Sequence, residues 1–494
     1  MTLAGSRLVR HLSDHVSDVG RLGSTTNPWR GADAPIPRPQ RDAAWFFSIW
    51  LVLLYSLHAR LVLPGLGSVG SPAALLALGA GLWWLTGRLM PSSGLDQDAQ
   101  PVRTALFVYT GYLVASYGVG ATRSLTALEQ SGSSRAQILL FAYVSVALLA
   151  MDGVRDLERL RTLLRRLTTI GALFAAYGIL QSILGEAHLF APPGLTWNQE
   201  IEADVLERGG FARPIASAMH PIEFAVLVGS LLPLAIHFVL HPRTRIDRYR
   251  AWAELSLLVL AVPVSLSRSA VVCAAVAILV LAFGWTWRRR VLALLTGLII
   301  VPIVASLVPA VFSFMVDLFT GADTDPSVQD RIERIPAIMA LIRERPWFGW
   351  GYGTYSVEDF FLIDNQLWVT LIATGILGLA VTLLLPAVAG VAAIWHARAI
   401  DGPAQDVADL GRSIAASIAG LMASTITFTA FSYRTLSFTL FLLIGCAGAH
   451  WRLTRPSRIH DGAGEQGAVT SPGGQPEAIQ VHDMGVGSPP RERT

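Results

Sequence analysis

Arg268 stands in the segment VPVSLSRSAVVCAA, between two apolar runs and with no acidic residue within ten positions. A bare chain reversal there would favour Gly, Asn or Pro. A guanidinium at that place either caps a helix C-terminus at the interface or meets an anion, phosphate above all, whose oxygens match its donor fork. Arg213 lies in ERGGFARPIASAMHPIEFAVLV, where a polar loop turns into an apolar run. Pro214 holds Arg213 extended and Pro221 suits a first helical turn. His220 is then either a helix-entry residue or a working imidazole. Glu223, inside the first turn, either complements the helix dipole or orients Arg213. Further along, Arg331 and Arg334 occupy one side of a stretch whose other side carries Ile332, Ile335, Met339 and Ile342.

The composition says what must position these groups. The chain has 494 residues, 52% apolar and 15% charged, against roughly 25% charged in an ordinary soluble domain. So few charges cannot cover a water-facing surface of that size, which leaves a membrane protein. All 38 basic residues are Arg, so Schiff-base and P-loop lysine chemistry are excluded. Cys273 and Cys446 lie in apolar runs and offer neither zinc spacing nor an expected disulfide. The arginines are spread between apolar runs rather than gathered in a patch, so no nucleic-acid partner is expected.

Residues 1–41 are polar and read as a cytoplasmic tail, and 453–494 as a disordered one. Between them, over 42–452, apolar runs of bilayer length recur at 43–63, 72–90, 103–121, 135–151, 167–184, 218–240, 251–266, 269–287, 290–310, 366–396, 411–432 and 435–452. The predicted fold is an all-α polytopic membrane protein of about twelve transmembrane helices. With both termini inside, eleven arginines fall on the outer side: 60, 123, 135, 208, 213, 268, 331, 334, 343, 345 and 434. The rest lie inside, as the positive-inside rule asks. Arg60, Arg123, Arg135, Arg343 and Arg345 read as snorkelling side chains. Trp45, Trp50, Trp83, Trp84, Trp285 and Trp287 lie near span ends, as interfacial aromatics do. Two outer loops are long, 185–217 and 311–365. In the second, between helices 9 and 10, Ser327-Val-Gln-Asp330 has capping-box spacing and opens a predicted amphipathic helix, with Pro336 allowing a bend. Gly349, Gly351 and Gly353 have no strand before them and read as turns returning the chain to the membrane. The aromatics around them, Trp347, Trp350, Tyr352 and Tyr355, read as interfacial anchors.

Several motifs occur in order across 210–380: the R-x₆-HP of Arg213, His220 and Pro221; the SRSA at 267–270; DRIERIPAIMALIRERPWFGWGYGTY; and Asp364-Asn365 ahead of LIATGILGL. In this order the chain resembles the O-antigen ligase/O-antigen polymerase family of bacterial cell-envelope glycan transferases. The resemblance implies transfer of a glycan from a polyprenyl-diphosphate carrier to an acceptor hydroxyl at the outer face of the cytoplasmic membrane, without cofactor or metal. It places Arg213, Arg268 and Arg331 at the diphosphate, with His220, Arg334, Asn365 and Arg434 as further binding candidates. A developing diphosphate charge is what fixed guanidinium donors stabilise. Where many such ligases carry His-Asn, this chain has Asp364-Asn365. Asp364 is then a general base if desolvation raises its pKa, or a helix N-cap. The family's Gly three residues after the first Arg is Ala216, and Ile335-Pro336 replaces an expected Trp. The alternative class is a polysaccharide or lipid-linked glycan transporter or flippase, which predicts repeats and mid-membrane ionisable residues. A non-catalytic scaffold would leave the outer arginines without purpose.

Overall fold

The computed structural model describes residues 42–90, 99–185, 192–198, 207–208, 210–307, 309–320, 329, 332–355, 363–395 and 405–455. The chain divides into two compact units, Met1–Thr454 and Arg455–Thr494, and every element below belongs to the first.

Among the described residues fourteen helices follow one another: α1 Ala43–Ser56, α2 Pro72–Leu89, α3 Pro101–Gly120, α4 Ala127–Gly153, α5 Leu157–Leu184, α6 Pro221–Leu240, α7 Arg245–Val264, α8 Arg268–Phe283, α9 Trp287–Leu307, α10 Pro309–Thr320, α11 Ile335–Glu344, α12 Gln366–Trp395, α13 Gln405–Ser424 and α14 Arg434–Thr454. Six of them (α4, α5, α6, α9, α12 and α14) are long and apolar enough to cross a membrane; α1 and α8 are shorter apolar helices. The protein is therefore a multi-pass, mainly helical membrane protein. Most of the expected runs coincide with a helix, and the pair 251–266 and 269–287 is two helices, α7 and α8.

Local signals start and stop these helices. The Asp42 carboxylate accepts the Trp45 N–H at 3.0 Å. Thr126 and Glu129 form a capping box on α4, and Thr244 and Asp247 one on α7. Gly185, at φ 72°, ends α5. In the middle of the bundle stand α6 and α14, each with 83% of its apolar window buried, whereas α9 has 0% and lies at the periphery.

Some expectations change. The expected loop 311–365 is not without structure at its start, because α10 runs through Thr320. Ser327 and Asp330, the expected capping box, lie outside the described residues. The amphipathic stretch is α11, with Pro336 in its first turn, just after a turn at Arg334 that follows helical Ile332 and Glu333, and with Ile338 and Ile342 buried. Trp50 is not interfacial: it is fully buried and its Nε1–H donates to the Ala73 carbonyl at 2.9 Å. Cys273 and Cys446 are both buried and free.

One helix is broken. At Gly375 (φ 70°, ψ −172°) α12 leaves helical geometry. The segment 346–353 docks into the break. Trp350 and Gly351 donate their N–H groups to the carbonyls of Ile372 (2.9 Å) and Ala373 (2.8 Å), and Ile376 donates to the Pro346 carbonyl (2.8 Å). From α3, Tyr112 Oη donates to the Thr374 carbonyl (2.7 Å) and Ser116 Oγ to the Phe348 carbonyl (3.1 Å). Gly349, Gly351 and Gly353 all have positive φ, and a Cβ on Gly349 would lie 2.5 Å from the α12 backbone. They are turns, as the sequence suggests, and also points of backbone contact. At 1.5 Å per residue a 30-residue helix is about 45 Å long, longer than the ~30 Å hydrocarbon layer. The break leaves Ile376–Trp395 as a stretch of about one bilayer thickness, with a shorter piece at the end that carries Asp364.

Candidate functional site

Helix direction gathers the candidate residues at one end of the bundle. The first turns of α6, α12 and α14 and the last turn of α13 meet there through loops. The Gln366 N–H donates to the Thr425 carbonyl (2.9 Å), and Gln366 Oε1 accepts the Phe431 N–H (2.9 Å). Glu223, fully buried, accepts N–H groups from Met219 (2.8 Å), Thr435 (3.0 Å) and Leu436 (3.2 Å). It therefore complements the N-terminus of α14 as well as its own loop, the dipole role of the two read from sequence. The stretch after α1 closes over this end. Ala59 N–H donates to the Ser217 carbonyl (2.8 Å), and strand β1 (Leu61–Val62) pairs antiparallel with β2 (Thr196–Trp197). A second antiparallel pair, β3 (Glu207–Arg208) and β4 (Phe211–Ala212), leads into Arg213.

Arg213 is half-buried, seven residues before His220. The backbone between them is fixed from α5. Gln181 Oε1 accepts the N–H groups of Ile215 (3.2 Å) and Ala216 (2.7 Å), while its Nε2 donates to the Ala216 carbonyl (3.2 Å). Ala216 is held at φ 48°, the left-handed conformation that glycine adopts without strain. Leu266, in the turn before Arg268, has φ 48° as well. Among the described residues these are the two non-glycine positions with positive φ, and each lies within three residues of a candidate arginine. Strain of this kind collects at working sites, and nothing in the sequence around Leu266 announces it.

His220 is the N-cap of α6, its Nδ1 accepting the Ile222 N–H at 3.1 Å. Its ring centroid is 5.8 Å from that of Tyr433. Burial, with the charges of Arg213 and Arg60, pushes the imidazole pKa down to about 4, and the nearby Asp364 carboxylate opposes that shift. A neutral ring whose Nδ1 accepts carries its proton on Nε2. The Tyr433 phenol is pushed up by burial, by Glu223 and by Asp364, with Arg213 acting the other way. Burial raises Tyr355 to about 12; Arg334 opposes this shift, while Asp364 adds to it. Asp364 thus lies within electrostatic reach of His220, Tyr433 and Tyr355, and Arg213 and Arg334 flank the same group.

The helix cap that could have occupied Asp364 belongs to its neighbour. Asn365 Oδ1 accepts the N–H groups of Leu367 (2.9 Å) and Trp368 (3.3 Å), and its Nδ2 donates to the Ile426 carbonyl (2.9 Å). Asn365, a binding candidate from the sequence, is engaged on both ends of its amide in holding α12 to the loop after α13. Arg434, another, is buried at the start of α14 and donates to the Ala59 carbonyl, which ties α14 to the stretch after α1. Arg268 heads α8, half-buried, on the turn Ser265–Ser267. A Cβ on Gly229 would meet the Ala270 carbonyl at 3.1 Å, so α8 starts roughly one to two turns deeper than α6. Arg331 lies outside the described residues.

Arg60 was missed. It is not a snorkelling side chain but a buried one, with Nη2 donating to the Met219 carbonyl at 3.4 Å and its charge acting on both His58 and His220. Of the other arginines read as snorkelling, Arg123 pairs with Glu129 and lies over the Trp350 ring at 5.4 Å, while Arg345 takes the same ring at 4.8 Å. Trp350 is accordingly a packed clasp rather than a free anchor.

An apolar cavity of about 370 Å³ opens between α6, α7, α8, α9 and α10. Pro263 and Val271, on either side of the turn that bears Arg268, both line it. One helix–turn–helix therefore contributes a guanidinium and the wall of an apolar chamber.

Residues 253–383 match the family model described as O-antigen ligase. The matched stretch includes Arg268, Arg331, Arg334, Asp364 and Asn365 and begins after Arg213 and His220. No curated protein matches the chain.

Proposed function

We propose that the protein transfers a glycan from a polyprenyl diphosphate to an acceptor hydroxyl, as a ligase of the O-antigen type or as a polysaccharide polymerase. The observation that supports this reading is the apolar chamber adjoining the Arg268 turn, beside a separate cluster in which Arg213, Arg60 and Asp364 act together on His220. A polyprenyl diphosphate is the ligand class that is a long hydrocarbon at one end and a doubly phosphorylated anion at the other. In this reading the tail occupies the chamber, and Arg268, Arg213 and Arg331 hold the diphosphate, with Arg334 beside them. Asp364 accepts the acceptor's proton as its oxygen bonds to the anomeric carbon. The bond from that carbon to the diphosphate oxygen breaks, and its electron pair leaves with the lipid diphosphate. His220, neutral at physiological pH, donates from Nε2 to a sugar or phosphate oxygen. Residues 42–452 carry the reaction, with 1–41 and 453–494 as cytoplasmic tails, and the site faces outward from the inner membrane.

Fixed guanidinium donors act where the leaving group develops charge, and loss of one such donor costs about 10²–10³ in rate. Purified protein supplied with a polyprenyl-diphosphate glycan should lengthen or transfer the glycan, and Arg268→Ala should lower that rate by about 10²–10³. Arg268→Lys should restore only part of it, because an ammonium lacks the planar fork. Full activity in Arg268→Ala would remove the basis of the reading. Transfer should also persist in excess chelator, since guanidinium groups meet the leaving-group charge.

A further inference from the structure

At the opposite end of the bundle, five arginines line a cavity of about 320 Å³: Arg161, Arg165, Arg166, Arg243 and Arg250. Two belong to the stretch between the end of α6 and the second turn of α7, and three to the first turns of α5. Two carboxylates, Glu158 and Asp247, share the lining, and both are already committed. Glu158 pairs with Arg243, and Asp247 closes the capping box of α7. Behind the wall Glu254 serves Arg165 (3.1 Å) and Arg250 (3.0 Å) together. Asp406 attracts Arg161 from the start of α13, so among the described residues five guanidinium groups face four carboxylates and positive charge remains in excess.

The like charges are also held close. Arg161 and Arg165 lie over one ring, Phe238, at 5.4 and 4.8 Å. Arg243 and Arg165 both act on Arg161 as like charges. Such crowding is unfavourable until an anion enters, and a phosphate group is the anion whose geometry the guanidinium fork fits. The position selects the carrier. On α7, next to the cavity, Ile246, Tyr249 and Trp252 are exposed among Arg245 and Arg248. Exposed aromatics among arginines at a helix end mark a membrane–water interface, where basic pockets between helices take lipid headgroups.

We infer that this cavity binds the phosphate of an anionic membrane lipid, whose headgroup enters between the starts of α5 and α7. It is separated from the proposed glycan site by the length of α5, about 40 Å for 28 residues.

The test uses full-length protein in a neutral detergent, titrated with phosphatidic acid, with phosphatidylcholine or with inorganic phosphate. Bound lipid is counted by native mass spectrometry and the unfolding midpoint is followed in parallel. Phosphatidic acid should be retained and raise the midpoint, and phosphatidylcholine should do neither. Binding should weaken roughly fivefold for each arginine removed, in Arg166→Gln and in R166Q/R243Q. Glu158→Gln, which deletes a lining negative charge, should tighten it by a similar factor. Arg248→Gln, an exposed arginine of α7 outside the lining, should leave it unchanged. An equal midpoint shift with inorganic phosphate would keep the phosphate site and assign it a soluble ligand instead of a lipid. Equal retention of phosphatidylcholine, or unchanged binding in both Arg166→Gln and Glu158→Gln, would overturn the inference. Should R166Q/R243Q fail to fold, the single variants decide alone.

Discussion

His220 shows how one residue holds two offices that can be separated experimentally. Its Nδ1 caps α6, and its ring faces Tyr433. Asn is as good an N-cap, whereas loss of a cap costs about 1 kcal/mol. His220→Asn should therefore leave the thermal midpoint near that of the parent while lowering the transfer rate; equal loss of both would make the residue a cap alone. Because burial and the flanking arginines bring its pKa down to about 4, the imidazole is neutral at pH 5 and above. A rate profile between pH 5 and 8 should contain no histidine step near 6.5 that His220→Asn removes. Ala216 offers a second test at this scale. An L-residue in the left-handed region is strained by about 1–2 kcal/mol, partly offset by the greater chain entropy of glycine. Ala216→Gly should raise stability by up to about 1 kcal/mol with activity retained, read as a shift in the unfolding midpoint. A β-branched residue there should destabilise instead.

At the scale of the element, the decisive piece is α12 with the segment docked into its break. Gly375 occupies a backbone region open essentially to glycine, and a Cβ there would lie 2.3 Å from the Trp347 carbonyl oxygen. Gly375→Ala should destabilise by more than about 3 kcal/mol, visible as lost yield and a lowered midpoint. The break explains why hydropathy alone misjudges this region. The residues from 366 to 395 read as one long apolar run, and ATGIL contains nothing but a glycine to mark where it divides. The three glycines at 349, 351 and 353 are legible as turns because φ > 0 is what glycine supplies. That they turn against α12 and α3 is tertiary information, absent from their own neighbourhood.

Over the whole molecule, apolar runs identify most of the helices, since bilayer length and composition leave little choice. They fail where a helix is divided, as at Gly375, or where burial is decided by distant partners, as for Trp50 and Arg60. Several of the candidate residues can be placed, each by its own neighbours. Arg213, His220 and Asp364 lie in one electrostatic neighbourhood, while Asn365 and Arg434 each also hold backbone groups. An arginine beside an apolar run looks the same in sequence whether it faces a ligand or a carbonyl. The two ends of the bundle also differ in how they treat charge. Asp152, Glu254 and Asp409 each meet two or more basic side chains at the end away from the proposed site.

The docked segment has a bearing on time as well as on shape. The N–H groups of Trp350 and Gly351 close carbonyls that the break in α12 would otherwise leave bare, and an unmade backbone hydrogen bond in apolar surroundings costs several kcal/mol. Residues 346–353 therefore cannot swing aside once per catalytic cycle. Their amide hydrogens should exchange with solvent deuterium as slowly as those of the central helices, and any opening of this end of the bundle must occur elsewhere, on a floor that stays still.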